Sequence, residues 1–345
     1  MNQSAFLLQD VSKWEMTSTN TQHTYDIWIF TPQISTRKSL PVLYVLDGQW
    51  DFALFHSVYG VLKYDGFVDE LLIVGISYRG SDEAIHQQRS KDYNIKATGG
   101  SGVREKSTKF IEFFRSELIP KITQEYATEP GSNLLAGASH GGTFALYCML
   151  TQQNLFQKYI VASPALAYGD QCIFDTEESY YHANSQLPVR LYISIGQLET
   201  NRTHVLFEQF KNTLVSRQYE SFDFVPSIIS GERHAGLKPE TFNRGLRYVM
   251  SPAFIQLPLS VLKMLTGKYW IQEHGIDLNV FIEDGQLRYS MSANNLDVDD
   301  LLPVSERCFL ARRSILKIMF TQCCENHVFE CELTSRKFSG RAVRV

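Results

Sequence analysis

The chain has 345 residues, 44% hydrophobic and 20% charged, a composition that gives ample apolar material for a core and room for about two domains. The formal net charge of -4 excludes the strongly basic profile of a nucleic-acid-binding protein. The longest apolar runs, such as residues 71–76, fall far short of the ~20 residues that span a bilayer.

The first fourteen residues show no basic stretch followed by an apolar one, so the expectation is a cytoplasmic chain without a secretory signal. Cys148, Cys172, Cys308, Cys323, Cys324 and Cys331 form no C-x-x-C pair, and reduced thiols fit that compartment. Residues 25–31 (YDIWIFT) alternate as a half-buried strand does and stop at Pro32. Residues 41–46 (PVLYVL) are continuously apolar and run into Asp47-Gly48, which predicts a buried strand ending in a turn. Residues 71–77 (LLIVGIS) predict a second buried strand. In residues 109–126, Phe110, Phe113, Phe114, Glu117, Leu118 and Ile122 recur every three or four positions, which predicts a helix with one apolar face and Glu117 as its exception.

Leu134 and Leu135 then enter a strand that runs into Gly137-Ala138-Ser139-His140-Gly141. This is G-x-S-x-G between a strand and a helical pattern at 143–150, the context of a nucleophile elbow. Glycine is needed beside the serine because a side chain there would strike the neighbouring strand or helix. The turn lifts the Ser139 hydroxyl above the sheet and places the His140 N–H where an oxyanion forms. Chance would supply roughly 0.1 such matches in a chain of this length.

Residues 191–195 (LYISI) predict the next strand, followed by Gly196-Gln197-Leu198-Glu199. Glu199 is the candidate acid, with Asp175, Glu177 and Glu178 set aside because no strand delivers them. Residues 222–225 lead to the polar loop Ser230-Gly231-Glu232-Arg233-His234-Ala235-Gly236, ahead of a helix at 241–250. His234 is therefore the candidate base, preferred over His182, His204, His274 and His327, whose surroundings read as surface or β-domain. The order serine, acid, histidine is that of the α/β hydrolases. The second oxyanion N–H is expected from Gln49, in the loop after the 41–46 strand. No ligand-spaced Cys/His cluster points to a metal, and no cofactor is expected.

The pattern changes near Ser251-Pro252. Helical periodicity is expected to about Leu265, and alternating β runs follow. Asp284-Gly285 between two of them is a strong hairpin signal. Runs at 307–310, 315–320, 328–333 and 341–345 complete a small antiparallel β domain over 266–345. The division is residues 1–252, an α/β-hydrolase domain with a doubly wound, mostly parallel sheet, and residues 253–345, a helical linker and the β domain.

Taken together, VLYVLDGQWDF (near 45), LLIVGISYR (71–79), RSKDYN (89–94), FFRSELIPKI (113–122), LLAGASHGGTFAL (134–146), ISIGQLE (193–199) and ERHAG (232–236) resemble the Putative esterase branch of the α/β hydrolases. That branch includes ferric-siderophore esterases, S-formylglutathione hydrolase, feruloyl esterases and mycolyltransferases. The resemblance covers residues 15–250 in the family's order, and RSKDYN is most similar to the siderophore-esterase subgroup. The segment after 266 resembles a small β domain found behind serine hydrolases. These likenesses imply a serine esterase acting on a small-molecule ester through an acyl-enzyme. Transfer of the acyl group to an alcohol, and a non-catalytic binding protein on a hydrolase scaffold, are the alternatives. Arg89 faces an anionic or catecholate substrate in one reading, and in the other it pairs locally with Asp92 to hold the loop beside the site. Trp50, Phe52, Tyr78 and Tyr93 are candidates for an aromatic pocket or for core packing. Pairing of two copies through the C-terminal domain stays open.

Overall fold

A computed structural model describes residues 8–32, 38–95, 104–252, 254–294, 297–324, 327–335 and 338–345. Its internal contacts divide the chain into one unit of residues 1–64 and 68–250 and another of residues 65–67 and 251–345.

The first unit is built on an eight-stranded sheet. In chain order its elements are β1 (Val11–Thr17), β2 (Thr24–Phe30), β3 (Leu40–Val45), α1 (Gly48–Tyr64), β4 (Leu72–Ser77), α2 (Asp82–Asp92), α3 (Arg104–Glu112), a π-helical turn (Phe113–Leu118), α4 (Ile119–Glu125), β5 (Thr128–Ala138), α5 (His140–Thr151), β6 (Lys158–Ala162), α6 (Tyr168–Ala183), β7 (Arg190–Gly196), α7 (Asn201–Arg217), β8 (Asp223–Ile229) and α8 (Lys238–Met250). The strands lie in the order β1-β2-β4-β3-β5-β6-β7-β8. β1, β2 and β4 pair antiparallel, and every pair from β4 through β3 to β8 is parallel.

The unbroken apolar runs of β3 and β4 follow from this topology, since both faces of the sheet are covered. Val42 and Tyr44 of β3, and Tyr159 and Val161 of β6, enter one core with Phe110, Phe113, Phe114 and Phe144. Their neighbours Leu43, Val45, Ile160 and Ala162 enter the opposite core with Phe52, Phe55, Phe242 and Leu246. The helix expected over 109–126 is three pieces. Pro120 lacks an N–H, and its ring would clash with the Ser116 carbonyl in a regular α-helix. The chain widens into the π turn just ahead of it, with the Ile119 N–H bonded to the Phe114 carbonyl. Glu117, the polar exception on that face, accepts hydrogen bonds from Thr19 Oγ1 at 2.9 Å and the Asn20 N–H at 3.0 Å, and so ties down the β1–β2 turn. β1 and β6 were not expected from the pattern: β1 has no buried residue, and β6 is only five residues long.

In the second unit, helix begins later than the periodicity implies. Among the described residues from 251 to 266 only α9 (Leu259–Leu265) is helical, and residues 254–258 have no regular secondary structure. Then come β9 (Gly267–Ile271), β10 (Ile276–Glu283), β11 (Gln286–Met291), a 3-10 turn (Ser292–Asn294), β12 (Val298–Pro303), β13 (Cys308–Ala311), β14 (Leu316–Cys324), β15 (His327–Ser335) and β16 (Ser339–Arg344). They close into an antiparallel barrel, with β16 returning to β9. Asp284 and Gly285 form the two-residue turn of the β10–β11 hairpin at φ 52° and 74°. Both residues at positive φ match the right-handed twist of the strands. Leu278, Val280, Leu287, Tyr289, Phe309, Ile318, Phe320 and Leu333 fill the interior, as expected of eight strands. Tyr269 joins them, while Trp270 faces outward. Among the described residues no helix is long and apolar enough to cross a membrane.

Candidate functional site

Parallel strands end on one edge of a sheet, so the loops after β3, β5, β6, β7 and β8 gather there. Ser139 follows β5 directly, at φ 55° and ψ -123°, with its N–H donating to the Ala162 carbonyl at 2.9 Å. A non-glycine residue in that conformation is strained and needs a reason. The flanking glycine is sterically required: a Cβ on Gly137 would lie 2.6 Å from the Gly141 carbonyl. α5 begins at His140, and the Thr143 N–H already bonds the Ser139 carbonyl, which leaves the first N–H groups of the helix directed at the site. Ser139 is half-buried at this edge of the sheet.

The loops after β7 and β8 are stitched together. The Gln197 N–H donates to the Ile229 carbonyl at 2.9 Å and the Leu198 N–H to the Glu232 carbonyl at 2.8 Å. Gln197 Oε1 in turn accepts from the Gly231 N–H at 2.8 Å. This brings Glu199 to His234, with Oε2 3.0 Å from Nδ1. Glu199 Oε1 accepts the Gly196 N–H at 2.9 Å. The carboxyl is 5% exposed and the imidazole 54%. Burial alone would raise the Glu199 pKa, but hydrogen bonds from His234, the Gly196 N–H and Ser163 hold it below the usual carboxylate range. Ser163, just past β6, is a member of this cluster that the sequence pattern did not reveal. Its hydroxyl lies 2.7 Å from Glu199 Oε2 and 2.8 Å from His234 Nδ1. The one sequence signal would have been a serine ending a short apolar run just before proline. His182 is on α6, and His204, on α7, has Nε2 3.1 Å from the Gln197 carbonyl in the loop that carries Glu199; His274 and the backbone of His327 belong to the second unit, in the β9–β10 turn and β15.

Gln49 is the second residue of α1, whose N-terminus forms the loop after β3. Asp47 turns the chain at φ 54°, and its carbonyl accepts the N–H groups of Trp50 and Asp51. Asp47 is buried and held by two donors: Arg89 Nε at 2.7 Å and the Tyr93 hydroxyl at 3.2 Å from Oδ1. The partner of Arg89 is thus Asp47, not Asp92, which instead accepts from the Tyr25 hydroxyl at 2.7 Å. Arg89 also reaches the Ala138 carbonyl and His140 Nδ1, both at 3.4 Å. A guanidinium only donates, so Nδ1 of His140 is the acceptor and the neutral ring carries its proton on Nε2. Burial and the Arg89 charge keep His140 below the usual imidazole range, whereas for Arg89 itself burial is outweighed by Asp47 and the guanidinium is held charged. Tyr93 and Tyr78 are buried behind the loop, and Phe52 is core; Trp50 is 43% exposed, with the Arg89 guanidinium 5.7 Å from its ring. A second ion pair, Lys238 Nζ to Asp51 Oδ1 at 2.8 Å, links α1 to the start of α8, four residues after His234. Cys148, Cys172, Cys308 and Cys331 are buried thiols outside any disulfide.

A family model described as Putative esterase matches residues 18–231. The ferri-bacillibactin esterase BesA of Bacillus subtilis is 25% identical over 277 residues, covering 72% of this chain and 92% of that protein. Among solved structures, the BES protein from Bacillus cereus superposes with a TM-score of 0.66 at 24% identity, covering 73% of this chain and 98% of that one. Siderophore hydrolase EstB from Aspergillus nidulans gives a TM-score of 0.62 at 19% identity, covering 72% and 98%. Both likenesses are of fold.

Proposed function

The chain belongs to the Putative esterase family and is an ester hydrolase, and from that premise we propose that it cleaves a siderophore-type carboxylic ester through an acyl-enzyme on Ser139. The observation that carries the mechanism is the convergence of three strand ends: Ser139 on a strained turn after β5, and the Glu199–His234 pair on the joined loops after β7 and β8. Ser139 attacks the ester carbonyl while His234 accepts its proton, and Glu199 holds the imidazole and stabilises its cationic form. The N–H groups of His140 and Gln49, each at a helix start, receive the oxyanion. The imidazolium then returns its proton to the leaving alcohol, and water, deprotonated by the same imidazole, clears the acyl group.

The substrate reading draws on BesA and EstB, whose names describe siderophore ester hydrolysis. The half-exposed Trp50 ring, with the buried Arg89 guanidinium 5.7 Å from its centroid, offers an aromatic surface next to the oxyanion loop. The test is turnover on ferric and iron-free siderophore esters, short p-nitrophenyl esters, feruloyl esters and S-formylglutathione. Siderophore esters should give the highest kcat/KM, and Ser139→Ala should lose activity by about 10⁴-fold or more on every substrate cleaved. Preference for a different ester class refutes the substrate; more than a tenth of wild-type activity in Ser139→Ala refutes the nucleophile.

A further inference from the structure

Ser163 is 1% exposed and sits at φ 41°, with its N–H donating to the Ser194 carbonyl at 2.7 Å. Glycine would adopt that backbone without strain, so a serine there is held against its preference for the sake of its hydroxyl. The hydroxyl touches both members of the acid–base pair, 2.7 Å from Glu199 Oε2 and 2.8 Å from His234 Nδ1.

It has one proton to give. Glu199 is held in its charged form and can only accept, so the charge-assisted bond to Oε2 takes that proton. The Oγ lone pairs then face Nδ1 of His234. Nδ1 must carry its own proton, shared between Ser163 Oγ at 2.8 Å and Glu199 Oε2 at 3.0 Å. An imidazole protonated on Nδ1 has a bare Nε2, the form able to take a proton from Ser139. The reverse arrangement, with Ser163 donating to Nδ1, would put the ring proton on Nε2 and disable the base.

We propose that Ser163 is a positioning residue for ester hydrolysis: its hydroxyl, polarised by Glu199, fixes His234 in the tautomer with Nε2 unprotonated. This inference rests on the assignment of Ser139, His234 and Glu199 above. It has a consequence that packing alone would not produce. Once Glu199 is removed, nothing commands the Ser163 proton, and the hydroxyl turns to donate to Nδ1. The same serine then favours the wrong tautomer.

The experiment is a double-mutant cycle on a p-nitrophenyl ester with the full chain: wild type, Ser163→Gly, Glu199→Ala and the double variant, with Ser139→Ala alongside. Ser163→Gly relieves the positive φ, and Ser163→Ala serves as a second hydroxyl deletion should the glycine variant not fold. The expected result is a kcat about tenfold lower for the hydroxyl deletion, with KM little changed and thermal unfolding retained. In the Glu199→Ala background the same deletion should leave kcat unchanged or raise it. Wild-type kcat in a folded Ser163 variant, or an equal fold-loss in both backgrounds, overturns the inference. The underlying assignment fails separately, and visibly, if Ser139→Ala retains activity.

Discussion

At Arg89 a single side chain bridges the loop after β3 and the turn after β5, the two turns proposed to hold the oxyanion. Its guanidinium holds Asp47, which carries the loop after β3, and reaches the Ala138 carbonyl and His140 of the nucleophile elbow. Breaking a buried pair of this kind leaves an uncompensated charge and costs about 3–5 kcal/mol when one partner is deleted. Arg89→Lys keeps the charge, but a single ammonium cannot span three acceptors as a guanidinium does. Kinetics on a p-nitrophenyl ester should show kcat lowered by about 10²-fold, the scale of losing one oxyanion donor, with KM little altered. A rise in KM with kcat preserved would instead mean that Arg89 contacts substrate. The placement of Ser139, Glu199 and His234 just past strand ends was readable in the sequence, because each follows a recognisable strand with a glycine-bearing turn. Arg89–Asp47 and Ser163–Glu199 were not: their partners are 42 and 36 residues apart and meet only because the strand ends converge.

Among the elements, the β10–β11 hairpin was fully legible, because a two-residue turn imposes positive φ that Asp-Gly accepts. Gly285→Ala forces a Cβ into that conformation at φ 74°, and no neighbouring atom lies within 4 Å to clash. The cost should therefore be purely conformational, about 1–2 kcal/mol. Denaturant unfolding followed by tryptophan fluorescence, Trp270 lying on the adjoining β9, should show the unfolding free energy fall by that amount; an unchanged value would mean the turn does not hold the hairpin. The π turn at Phe113–Leu118 was not legible, since its buried phenylalanines keep a helical spacing and only Pro120 marks the break. β12 escaped for a related reason: Asp299 and Asp300 break its apolar pattern. Asp299 is buried because its carboxylate accepts the Arg313 and Ser314 N–H groups, and the partly exposed Asp300 pairs with Arg288 and Arg312.

For the whole molecule, buried acids set a pH dependence. Burial lifts Asp92 to about 7, against hydrogen bonds from Tyr25 and Tyr78, and lifts Asp51 to about 6, against Lys238. Both folded values lie above the unfolded one of 3.8. Their contribution to stability is therefore full below pH ~4 and is lost as pH rises through 6 and 7, because the folded state resists giving up the proton. Asp92→Asn removes that loss. Calorimetry should find the variant's melting temperature, relative to wild type, higher at pH 8 than at pH 5; an equal or reversed difference would show that Asp92 ionises freely in the fold. The first unit also contains every residue assigned to the chemistry, and the barrel has its own core. A chain ending at Leu257 that is folded by circular dichroism should hydrolyse a small p-nitrophenyl ester with kcat within about threefold of the full chain, the truncation removing no group that acts in the transition state. A folded but inactive truncation would assign part of the chemistry to the barrel unit.

The proposed mechanism stands on Ser139 as the nucleophile, activated by His234 at the convergent strand ends. Its most direct measurement is reaction with a fluorophosphonate, followed by peptide mapping of the adduct. One phosphonyl group per chain on Ser139, absent in Ser139→Ala and strongly slowed in His234→Ala, is the predicted result. An adduct on another residue, or ester hydrolysis by a chain that takes up no label, would contradict it.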